Sequence, residues 1–167
     1  MDYRPGAVPE RYGETFDDGA YCVDDSGGVD IVLRRVQPVP DDRFEPIDQV
    51  VHVHGVWRSI PGRTIADDTL VNATVTYMIL AGGSGATFEG AGSLFYRENR
   101  RRDALTGTLE GATLVPVRRV AGGGFIFHQA ALRGRFHAVR DCRRTHKILH
   151  DLERTFGPRP PYRIPES

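Results

Sequence analysis

Through the middle of this 167-residue chain, stretches rich in β-branched and aromatic residues follow one another, separated only by short glycine-rich or polar connections. They are IDQVVHVHGVW (47–57), TLVNATVTYMIL (69–80), ATFEGAGSLFY (86–96), ALTGTLEGATLVPV (104–117) and GFIFHQAALRGRFHAV (124–139). Between them lie PGRT with ADD, the tetrapeptide Gly82–Gly85, the polar run RENRRRD and three consecutive glycines, Gly122 to Gly124. Parallel neighbours would need a crossover of about a dozen residues or more, so these strands pair antiparallel in chain order, as a meander. Upstream, GVDIVLRRVQ (28–37) puts Val29, Ile31 and Leu33 on one side, the period-2 pattern of a further strand.

Gly90, Gly92, Gly107 and Gly111 fall inside strand patterns, where glycine permits sharp coiling. That favours closure into a barrel over a flat sandwich. The period changes only at the end, where Cys142, Ile148, Leu149, Leu152 and Phe156 form a helical stripe after Asp141, an N-cap, and before Gly157 and Pro158. The expected fold is therefore all-β, an antiparallel meander β-barrel with a C-terminal α-helix at 141–156. Residues 1–19 read as an extended arm, 20–157 as one domain and 158–167 as a proline-rich tail.

Twenty-two basic residues balance twenty-two acidic ones, so no overall field gathers nucleic acid or an anionic membrane. No apolar run nears the ~20 residues that cross a bilayer, and the first residues lack the apolar core of a secretion signal. A cytoplasmic location is expected. Cys22 and Cys142 are too few for a disulfide framework and match no zinc spacing, so both are expected to stay reduced.

The segment Thr76 to Ser93, TYMILAGGSGATFEGAGS, resembles the strand–turn–strand signature of the allene oxide cyclase and dirigent barrel superfamily, through Gly82–Gly85 and Phe88–Ala91. Gly124 to Gly134 resembles that family's closing strand. The resemblance implies a barrel that binds a hydrophobic small molecule and guides its cyclisation without metal or organic cofactor, as do cyclases of bacterial natural-product pathways on that fold. Holding a flexible substrate in a reactive conformation supplies several kcal/mol through orientation alone. A non-catalytic carrier of a hydrophobic ligand, similar to lipocalins, is the alternative.

Candidate chemistry follows from strand parity. Val75, Tyr77 and Ile79 share the face expected to point inward, so the Tyr77 hydroxyl is a candidate donor to substrate, or a core hydroxyl bonded within the protein. His52 and His54 share a side of one strand and could transfer protons, bind a metal in a cupin-like arrangement, or form a polar surface stripe. His128 completes the candidate catalytic set. Trp57, Val75, Phe88, Glu89, Tyr96 and Phe127 are the candidate substrate contacts, Glu89 being expected to point outward. Strand edges make a homodimer or homotrimer plausible.

Overall fold

Alternating hydrophobic residues define seven strands and one helix in the computed structural model, which describes residues 15–39, 45–56, 71–120 and 129–157. The strands are β1 (Asp18–Val23), β2 (Val29–Gln37), β3 (Ile47–Gly55), β4 (Ala73–Ala81), β5 (Ser84–Asn99), β6 (Ala104–Val120) and β7 (Ala130–Arg140), followed by helix α1 (Cys142–Phe156). They form a closed barrel in chain order, each strand antiparallel to the next. Seven alternating strands leave the first and last running the same way. The closing pair is accordingly parallel, with Ala20 opposite Val139 and Tyr21 opposite Arg140.

Three boundaries differ from the sequence reading. The arm expected to end at residue 19 already contains the start of β1 at Asp18, because pairing with β2 holds this short segment in place. The turn between β4 and β5 is only Gly82 and Gly83, both at positive φ (58° and 75°), as a two-residue hairpin requires; Ser84 and Gly85 are already in the ladder. The polar run 97–103 is not all turn: β5 continues to Asn99, paired with Ala104, and only 100–103 reverse the chain. At Gly90 a Cβ would sit 1.8 Å from the Thr113 carbonyl oxygen, so only glycine lets β5 and β6 approach this closely.

Two apolar layers result. Inside the barrel, Tyr21, Ile31, Val53, Val75, Phe88, Leu94, Leu105 and Leu114 pack together, each no more than 1% exposed. Outside, Val32, Val50 and Met78 pack beneath Ile148, Leu149, Leu152 and Phe156 of α1. Burying each of these three wall residues contributes roughly 1.5–3 kcal/mol.

The helix starts where expected. Asp141 accepts from the Arg144 amide at 2.9 Å, and its own amide donates to the Tyr21 carbonyl at 3.1 Å, fixing the helix to β1. Arg144 also pairs with Asp18. The cysteines, expected to be reduced, are instead joined: Cys22 on β1 and Cys142 at the helix start form a disulfide with Cα atoms 4.6 Å apart. The fold brings together two residues separated by 120 positions, which no local spacing could reveal.

Candidate functional site

Parity places Tyr77 inside the barrel, as expected. Its hydroxyl donates to Gln49 Oε1 at 2.7 Å, and its ring lies against Phe88 at 6.2 Å between centroids. Burial pushes the Tyr77 hydroxyl's pKa above its usual value, with the Arg35 charge pulling the other way. Val75 and Phe88 are members of the packed interior, and Tyr96 packs against it. Tyr21 donates to Glu98 Oε1 at 3.0 Å, and burial, with that carboxylate, pushes its hydroxyl to about 12. These positions belong to the packed interior cluster. Trp57, Phe127 and His128 lie outside the described residues.

His52 and His54 alternate with the inward Val51 and Val53 and so face the outer wall, not the interior. On β2, Asp30 stands opposite His54 and diagonal to His52. One carboxylate oxygen serves both rings: Asp30 Oδ1 lies 2.7 Å from His52 Nε2 and 3.0 Å from His54 Nδ1. Burial would push the Asp30 carboxyl up, but the hydrogen bonds and charges of the two imidazoles outweigh it and hold the carboxyl at about 2. His52 is only 3% exposed, whereas a third of the His54 side chain reaches solvent.

Asp30 and His52 line a cavity of about 160 Å³ between the outer wall and α1. The register explains its floor. Thr76 is opposite both His52 and Glu89, while Thr87 is opposite both Met78 and Arg118, so Asp30 of β2, His52 of β3, Thr76 and Met78 of β4, Thr87 and Glu89 of β5 and Arg118 of β6 all point to the same outer face. Leu149, Leu152 and Phe156 supply the apolar roof, with Glu153 and Gly157 at the same opening. Arg118 donates to the carbonyls of Phe156 (3.2 Å) and Gly157 (2.8 Å), and its other terminal nitrogen lies 3.8 Å from Glu89 Oε1. The Thr87 hydroxyl is buried without a hydrogen-bond partner among the described residues.

The structure therefore gathers His52 and Glu89 of the expected residues at one cavity, with His54 bonded to its Asp30, and leaves Tyr77, Val75, Phe88 and Tyr96 in the core. Asp30, Thr76, Thr87 and Arg118 were not singled out from sequence. Their parity was readable, since Asp30 alternates with Val29 and Ile31, but only strand register places them side by side. No three His, Cys, Asp or Glu side chains among the described residues converge as metal ligands.

No known family, curated protein or solved structure matches the chain. The expected resemblance to the allene oxide cyclase and dirigent superfamily rests on the sequence segments 76–93 and 124–134 alone. No helix among the described residues is long and apolar enough to cross a membrane.

Proposed function

We propose that this protein binds a small molecule in the groove between the outer wall of its barrel and α1. The cavity carries the reading: it sets the paired Asp30 and His52 and two threonine hydroxyls against an apolar helix face. A few convergent polar groups in an otherwise apolar concavity are what orient a ligand. About 150 Å³ accommodates a benzene-sized guest, so the ligand is of about six to eight heavy atoms. Titrating benzyl alcohol into isotope-labelled protein tests this by amide chemical shifts. Changes are expected at His52, Thr76, Thr87 and residues 149–157; changes confined to inward positions such as Val53 and Val75, or none, would sink it.

The Asp30–His52 pair favours a second reading in the same groove, proton transfer on the bound molecule by an isomerase. A carboxylate that holds an imidazole fixes its orientation and supports its protonated form. Replacing His52 by Gln is expected to lower turnover at least about a hundred-fold with binding retained. If no bound molecule exchanges or migrates a proton, the protein is a carrier. Cyclisation of a larger apolar substrate by confinement would need space beside the packed cluster that includes Phe88 and Leu94.

The disulfide bears on location. Such bonds persist mainly in oxidising compartments, and we place the protein there instead of in the cytoplasm. A homodimer or homotrimer belongs with these proposals.

A further inference from the structure

We propose that the groove selects a small primary amine in its protonated form, an inference that rests on the groove being the binding site. The charges decide between cation and anion. Asp30, Glu89 and Glu153 bring three carboxylates to a cavity with one guanidinium, Arg118. With His52 and His54 both neutral two negative charges are in excess, and with one of these imidazoles protonated on Asp30 one remains; only protonation of both cancels the excess. Arg118 is committed on both sides, to the end of α1 through one nitrogen and towards Glu89 through the other. The carbonyl end of α1, the negative pole of the helix, lies at the same opening. An incoming anion meets this excess, whereas an ammonium group neutralises it.

A second, independent observation is the Thr87 hydroxyl. It is 3% exposed, lines the cavity and has no hydrogen-bond partner among the described residues. Buried polar atoms are nearly always paired, and this oxygen has lone pairs that accept an ammonium N–H. Met78, Leu149, Leu152 and Phe156 offer the apolar body of the ligand a dry surface.

Benzylamine, benzyl alcohol and benzoate share one ring and differ in charge, so calorimetric titration of the three separates the classes. Benzylamine is expected to bind about ten-fold more tightly than benzyl alcohol, and benzoate not at all. Glu153→Gln should weaken benzylamine about two- to five-fold and leave benzyl alcohol unchanged. Thr87→Val, nearly isosteric, should weaken both while leaving the melting temperature in place, which separates lost recognition from lost folding. Benzoate binding tightest, or benzylamine shifting amides away from the groove, overturns the amine. Equal binding of benzylamine and benzyl alcohol also overturns it but keeps the groove as the site. If none of the three binds and no groove amide shifts, both readings fall.

Discussion

Asp30 stays ionised down to about pH 2 although its burial works the other way, because His52 and His54 share one of its oxygens. A carboxyl whose folded pKa lies below its unfolded value of 3.8 stabilises the fold fully above about pH 4 and loses that contribution as pH falls towards 2. The interval corresponds to about 2 kcal/mol. Urea unfolding at pH 5, 4, 3 and 2 should show this decline, and Asp30→Asn should lack it; equal declines would detach the effect from the triad. Tyr77→Phe leaves Gln49 Oε1 buried without its donor and should cost about 1–2 kcal/mol in the same assay. That Tyr77 points inward was legible from alternation with Val75 and Ile79. That His52 faces a cavity outside the barrel was not, for a physical reason: α1 covers the outer wall, so Val32, Val50 and Met78 make that face apolar too.

At the scale of elements, α1 was legible because cap, stripe and stop agree: Asp141, the apolar positions from Ile148 to Phe156, and Gly157. Strand β1 was not, since DGAYCV is short and its order comes from partners, β2 on one side and two residues of β7 on the other. The disulfide shares that non-local origin. Its link constrains an unfolded chain over a separation of 120 residues, for which loop entropy gives about 4–5 kcal/mol. Replacing Cys22 and Cys142 together by Ser should therefore lower the unfolding free energy by about 2–5 kcal/mol. Thiol titration of the denatured protein should find no thiol before reduction and two afterwards. Finding two thiols without reduction would remove the bond and, with it, the argument for an oxidising compartment.

The whole molecule is two apolar layers sharing one sheet, and they differ in what holds them. Backbone ladders close the inner layer, by two residue pairs where β1 meets β7. The outer layer is held by the disulfide, the Arg144–Asp18 pair and the Asp141–Tyr21 bond at one end of α1, by partly buried side chains along it, and by Arg118 at the other end. Within α1 only Thr145 is buried, and an isolated helix of 15 residues is marginal in water. Cutting the disulfide should thus loosen α1 before the barrel. Hydrogen exchange measured with and without a dithiol reductant should speed up across 142–156 while the amides of Val53, Val75 and Phe88 keep their protection. Because Leu149, Leu152 and Phe156 roof the groove, the same treatment should weaken ligand binding there without unfolding the barrel. Uniform acceleration in helix and barrel alike would instead mean that the two layers form a single cooperative unit, in which the helix cannot open the groove by itself.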